Sequence, residues 1–326
     1  MVRWMLLVPL LPLAAPAAEA VLPTRLPQEE AWKRLPDAPA TAQRLPAWAR
    51  MLAGPMPITT ARMLELDALH RSGDRLDARL RGLVRWAAAD ANGCAYSREM
   101  AAADLRRAGY SQAFLKDPSR QPERLSQLDR LAMAFARKMM REAHAVTDAE
   151  VKQLISLAGE ERVVALVALL AHASFHDRVV LVLGLTSEEG GAVPPVTARF
   201  GRPKPPQTPN KKPASPRPSK PAQVEAPIPT ADPDYQRLRE GLKKQLARSG
   251  RIRIPSREEV LERIGAEHSA AWQANILWSR VCYGYQPELT DAWFDCVAAF
   301  RQESNIDGLF GNAIFWVVTH ANDCFY

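Results

Sequence analysis

Residues 71–96 and 301–326 line up without a gap at a constant offset of 230. Seven positions are identical: Arg71/Arg301, Asp77/Asp307, Trp86/Trp316, Ala91/Ala321, Asn92/Asn322, Cys94/Cys324 and Tyr96/Tyr326, with the apolar pair Leu76/Ile306 in the same register. Tryptophan and cysteine are rare in the chain, with 8 and 4 copies in 326 residues, so their joint match marks an internal duplication. Each copy then has to be a structural unit built around the same device. The spacing predicts a helix of about four turns from the aspartate to the asparagine. The aspartate sits where a carboxylate favours the positive end of the helix dipole, and the asparagine where its tolerance of the left-handed conformation ends the helix. The cysteine then opens the next helix, a position that stabilises a thiolate.

The rest of the pattern is helical as well, and the fold class expected is all-α. Leu76, Leu80, Leu83, Val84, Ala87, Ala88 and Ala91 recur at one-face helical spacing. A further helix is expected over residues 126–143, and Thr147 with Glu150 forms a capping box that opens the next. Residues 163–183 are apolar nearly all round, which predicts a buried central helix. In the second half, Ser256 with Glu259 is another capping box, residues 270–283 and 288–301 read as a helical hairpin, and residues 306–320 as a final helix.

Composition divides the chain. Residues 1–20 read as an export signal: Arg3 gives a positive start, residues 5–15 are apolar, and Ala18-Glu19-Ala20 fits a small-x-small cleavage site. Residues 21–46 form a proline-rich arm with Arg-Leu-Pro at Arg25, Arg34 and Arg44, expected to pack on the first domain through Trp32, Leu35 and Leu45. A first helical domain spans 47–185. Residues 186–233 read as a disordered linker, because 13 of the 27 prolines lie between Pro194 and Pro233. A second helical unit covers 234–326. Seven basic residues between Arg199 and Lys220 equal the whole formal net charge of +7, so the remainder is near neutral and the basic balance does not imply nucleic-acid binding. No integral membrane span is expected after signal removal, since residues 163–183 carry His172, His176, Asp177 and Arg178.

A helix ending in Ala-Asn-x-Cys-x-Tyr, with a new helix starting at the cysteine, resembles the core motif of the carboxymuconolactone decarboxylase-like superfamily, which includes alkylhydroperoxidase D. The helix over residues 128–141, the capped start at 146–151 and the long helix through Phe175-His176-Asp177-Arg178 resemble that family's second half. The resemblance covers roughly residues 45–185 and again 255–326. With the arm at residues 32–36, the layout resembles large two-unit exported bacterial members. It implies two alkylhydroperoxidase-D-like helical units, peroxiredoxin-type thiol oxidoreductase activity with antioxidant character, an unknown thiol reductant, homo-oligomerisation or packing between the copies, and a periplasmic or cell-envelope location.

The family's redox chemistry uses Cys-x-x-Cys with a histidine four residues after the second cysteine, and a glutamate a dozen residues before the first. Here Cys94 and Cys324, the candidate catalytic residues, each match only the first cysteine. Ser97 stands where the attacking cysteine belongs, Ala101 where the histidine belongs, and Gly82 and Asn312 at the glutamate position. A serine hydroxyl has no redox couple, so the motif is incomplete in both copies, and the second copy reads as cut off at Tyr326. Three functional readings follow: a thiol peroxidase, a non-catalytic helical scaffold or binding protein, and an inactive fragment of a longer two-unit enzyme.

Other candidate sites carry less. His172 and His176 lie four apart on one helix, a spacing that suits a metal pair, but no third ligand is evident and packing or hydrogen-bonding roles are expected instead. No metal and no cofactor is assigned. His320 precedes Cys324 by one helical turn; a Cys/His couple is one reading of that spacing, and a histidine favoured by the helix dipole is the expected one. Cys282 and Cys296 flank a turn at Gln286-Pro287; an oxidising compartment would join them, and burial would leave them as free thiols.

Overall fold

In the computed structural model the described residues are 22–39, 43–201, 233–246, 250–266, 268 and 271–321. The leader, most of the proline-rich segment, Asn322 and Cys324 lie outside them. Among the described residues there is no strand, as the all-α reading expects. The first half holds α1 (Gln28–Arg34), α2 (Ala47–Leu52), α3 (Pro57–Ser72), α4 (Ala78–Ala91), α5 (Ala95–Arg107), α6 (Gln112–Lys116), α7 (Gln127–Glu142), α8 (Asp148–Ala158) and α9 (Glu160–Val182). The second holds α10 (Pro233–Leu246), α11 (Arg257–Ile264), α12 (Leu277–Tyr285), α13 (Pro287–Glu303) and α14 (Gly308–Ala321).

The offset of 230 governs more than the matched motif. The helices α2, α3 and α4 start at 47, 57 and 78; α12, α13 and α14 start at 277, 287 and 308. Both α4 and α14 run for 14 residues. With the register known, further identities stand out: Trp48/Trp278, Arg50/Arg280, Gly54/Gly284, Pro57/Pro287 and Thr60/Thr290. Both α3 and α13 carry proline at their first position, where the missing N–H costs nothing. The residues before them, Met56 and Gln286, share one backbone shape (φ −143°, ψ 62° and φ −137°, ψ 60°). Thr60 Oγ1 donates to the Met56 carbonyl at 2.7 Å, and Thr290 Oγ1 to the Gln286 carbonyl at 2.6 Å.

In the first unit α4 packs against α5, α7 and α9 at once. Its apolar face (Leu80, Leu83, Val84, Trp86, Ala87, Ala88) is buried against them. Each large side chain there contributes roughly 1.5–3 kcal/mol relative to exposure. Asp77 Oδ1 accepts from Leu80 N at 2.9 Å and caps the helix start. Capping boxes open α7 (Ser126 and Asp129), α8 (Thr147 and Glu150) and α11 (Ser256 and Glu259). The end of α4 corrects one expectation: Asn92 is right-handed (φ −82°), and Gly93 takes the left-handed turn at φ +66°. Lacking Cβ, glycine adopts that conformation without strain, which frees the Asn92 side chain for a tertiary contact. α9 is long and apolar enough to cross a membrane, but most of it is packed inside the protein, and Asp177 within it is fully buried.

The first part of the segment read as a linker, residues 186–201, is packed on the first unit, and residues 202–232 lie outside the described residues. This stretch of 186–201 carries no helix; after a turn at Glu189–Gly190 it crosses the first unit with Val193, Val196 and Phe200 buried. Phe200 stacks on Trp32 of the arm at 6.0 Å, and its N–H donates to Glu65. Glu188 accepts from Ala47 N at 2.6 Å, at the start of α2, and from the Tyr96 hydroxyl. Apolar residues spaced between the prolines overrode the proline-rich average here.

The two copies meet along α3 and α13, which run antiparallel. At one end Glu303 meets Ile58 and Thr59; at the other Gly73 shares a pocket with Pro287 and Glu288. Position 303 is 73 plus 230, and 288 is 58 plus 230, so the residues at the two ends are related by the offset of the repeat. By contrast α14 lies largely clear of the other helices. Phe310 and Trp316 are 60% and 67% exposed, whereas their counterparts Leu80 and Trp86 are 1% and 4% exposed.

Candidate functional site

The sequence-derived candidate Cys94 sits at the N-cap of α5, as expected, but it is buried. Burial pushes its thiol above the ordinary value against the opposing effect of Ser97, with Asp177 adding to the rise and Arg85 working against it. The effect of burial therefore exceeds the stabilisation expected from the helix start. Ser97, one turn further on, is equally buried. Its Oγ makes no hydrogen bond of normal geometry, yet it lies near enough to Cys94 and Asp177 to favour the ionised form of each. Ala101 is buried in the core. Gly82 explains itself sterically: a Cβ there would come within 2.6 Å of the Leu105 side chain, so no glutamate fits. The other candidate, Cys324, lies outside the described residues. Cys282 and Cys296 are free thiols, and burial raises them to about 11 and about 12.

Beside Cys94 lies a polar cluster. Arg85 and Asn92, two turns apart on α4, both reach Asp177 on α9. Arg85 Nη1 donates to Asp177 Oδ2 at 3.1 Å and Nη2 donates to Oδ1; Asn92 Nδ2 donates to Oδ2 at 2.8 Å. Burial works against the Asp177 carboxylate, but Arg85 outweighs it, with help from Ser97 and Asn92, and holds it below the usual range. Arg71 on α3 joins Asp104 of α5 (2.9 Å twice), Asp67 (3.2 Å) and the Val193 carbonyl (2.8 Å). A chamber of about 20 Å³ between these groups, lined by Arg71, Arg85, Tyr96, Ser97 and His176, has room for about one water.

From this chamber a row of three buried histidines runs inward. The rings of His176 and His172 are 5.7 Å apart, and those of His172 and His70 stack at 4.4 Å. Trp48 meets His176 edge-on at 5.5 Å. His172 Nδ1 and both ring nitrogens of His176 have no hydrogen-bond partner. Burial lowers His70 and His176 to about 4 and takes His172 well below its ordinary value, so all three are neutral near pH 7. The His70 and His172 rings stack and the His176 ring is tilted beside them; among the described residues no group of three ligands is placed to hold a metal.

The far end of the row, His70 and His172, forms part of the wall of a cavity of about 350 Å³ between α9 and the helices α12 and α13. Sequence reading missed His70 and the Arg85–Asp177–Asn92 cluster. The available signal was an arginine and an aspartate inside two otherwise apolar helices, since buried charges are seldom tolerated unpaired. Comparison with family models, with curated proteins and with solved structures gives no match for this chain.

Proposed function

We propose that the chain is a carboxymuconolactone decarboxylase-like helical protein, exported to the bacterial envelope, that acts as a binding module and not as a thiol peroxidase. The repeat supports two copies of the unit, with α12, α13 and α14 in register with α2, α3 and α4. The observation that carries the reading is the state of Cys94. It is 1% exposed, burial raises its pKa, and its neighbour at the attacking position is a serine. Peroxide reduction needs an accessible thiolate and a second thiol to resolve the oxidised sulfur. The copy-one site supplies neither, and Gly82 leaves no space for the proton-relaying carboxylate. What the fold does offer is a buried, fully paired ionic cluster that fixes α4 against α9, and an apolar cavity beside it.

The test is peroxide reduction by the purified chain with a dithiol donor. No turnover above the uncatalysed rate is expected. Turnover abolished by Cys94→Ser or Cys324→Ser would overturn the reading in favour of a thiol peroxidase. Export is tested separately by N-terminal sequencing of the secreted protein, with a start near Val21 expected.

A further inference from the structure

We infer that the cavity between the two copies binds a small, neutral, largely apolar molecule carrying one hydrogen-bonding group. Val164 and Ala168 of α9 face Trp278, Val281, Leu289 and Trp293 of α12 and α13 across about 350 Å³, the lower end of the range for small-molecule pockets. Among the described residues, no aspartate, glutamate, lysine or arginine lines it. A charged ligand would lose its hydration there with nothing to compensate, so the occupant is neutral. Two tryptophans on one wall favour a flat, aromatic or ring-shaped body.

The polar end of the ligand is set by the histidines. Thr290 Oγ1 is engaged with the Gln286 carbonyl and Gln286 Nε2 with the Glu161 carbonyl. The imidazoles of His70 and His172 are also part of the wall. A neutral imidazole offers one donor and one acceptor, which suits a hydroxyl or carbonyl. Two partly exposed side chains, Val167 and Trp278, lie at the mouth, where a ligand would enter.

This inference rests on the chain being a binding protein, and its test is independent of peroxide chemistry. Calorimetric titration of the full chain with 2-naphthol should show one site. Naphthalene should bind about tenfold more weakly, the equivalent of one net hydrogen bond. The charged 2-naphthoate should not bind over the same range. Ala168→Phe, which fills the cavity, should abolish binding; His172→Phe should bring naphthol and naphthalene to equal affinity. Saturating 2-naphthol should also slow alkylation of the cavity-lining Cys282 in the unmodified chain, read by mass spectrometry, which decides the matter if either variant fails to fold. Failure of 2-naphthol to bind or to protect Cys282, undiminished binding by a folded Ala168→Phe, or naphthoate binding as tightly as naphthol would each overturn the inference. Peroxide turnover would sink the parent reading alone; no turnover with no ligand binding would sink this one alone.

Discussion

Glu303 caps the helix that begins at Pro57: its Oε2 accepts from Thr59 N at 2.7 Å and from Thr59 Oγ1 at 2.6 Å, while Oε1 accepts from Ile58 N at 2.8 Å. These N–H groups are among those a helix start leaves unpaired, and a carboxylate also suits the positive end of the dipole. The equivalent position at the other end of the helix pair is Gly73, which has no side chain to return the contact. The capping contact between α3 and α13 is therefore made at one end of the pair only. Glu303→Ala should cost about 1–2 kcal/mol in urea unfolding. It should also weaken 2-naphthol binding, because α13 forms one cavity wall. Unchanged stability would mean that apolar packing between α3 and α13 suffices.

The buried histidines set an acid limit on the fold. His70 and His176 are lowered to about 4 by burial, from an ordinary value near 6.5. The unfolded chain therefore binds protons more readily than the folded one between those values. Stability is fully present above about pH 6.5 and is lost as the pH falls toward 4, by up to roughly 3 kcal/mol for each such group. The three rings touch, so their protonations oppose one another and the losses do not simply add. Asp177, held below the usual carboxylate range, loses its contribution only at lower pH. Urea midpoints at pH 7 and pH 5 separate the two. The midpoint should fall in this interval, and His176→Phe should flatten the fall. A pH-independent midpoint would show that the histidines are not buried in solution.

Much of this could be read from the residues. Asp77, the capping boxes at Thr147 and Ser256, and the apolar face from Leu80 to Ala88 are local signals, and each appears where the spacing put it. The repeat was legible in 26 residues, but its reach back to Trp48/Trp278 emerged only once α2 and α12 were seen in register. Three features were not legible, for one shared reason: they depend on distant partners. Asn92 reads as a helix-ending residue, yet the turn belongs to Gly93 and the amide goes to Asp177. Cys94 reads as an activated thiol from its place at a helix start, and only the surrounding core shows that burial dominates. Phe200 reads as linker, and only Trp32, 168 residues earlier, explains why it is buried.

Ser97→Cys would complete a Cys-x-x-Cys pair with Cys94 and gives a sharp test of why the site is silent. If the missing sulfur were the sole defect, the variant would reduce peroxide. Both positions are 1% exposed, and Gly82 packs against Leu105 where a relay carboxylate would stand. Dithiol-supported turnover should stay at background. Thiol titration of the folded variant should likewise leave both positions slow to react, with release only on unfolding. Turnover in Ser97→Cys would show that the fold retains a working peroxide site and lost only its nucleophile.

The exposed face of α14 should govern the chain's behaviour in solution. Leu309, Phe310, Phe315 and Trp316 are between 60% and 79% exposed, on a helix whose first-copy equivalent is covered by α5, α7 and α9. Contiguous apolar surface of this kind promotes association. The first copy has arginine at the positions matching Leu309 and Phe315, namely Arg79 and Arg85. Leu309→Arg with Phe315→Arg therefore restores side chains that the repeat already accommodates, and neither position is packed in a core. The unmodified chain should self-associate at micromolar concentration by light scattering, and the double variant should scatter as a monomer with an unchanged melting temperature. Equal association in both would place the contact elsewhere. A lower melting temperature in the double variant would show that these side chains pack within the chain, and that α14 is less exposed in solution than its surface here implies.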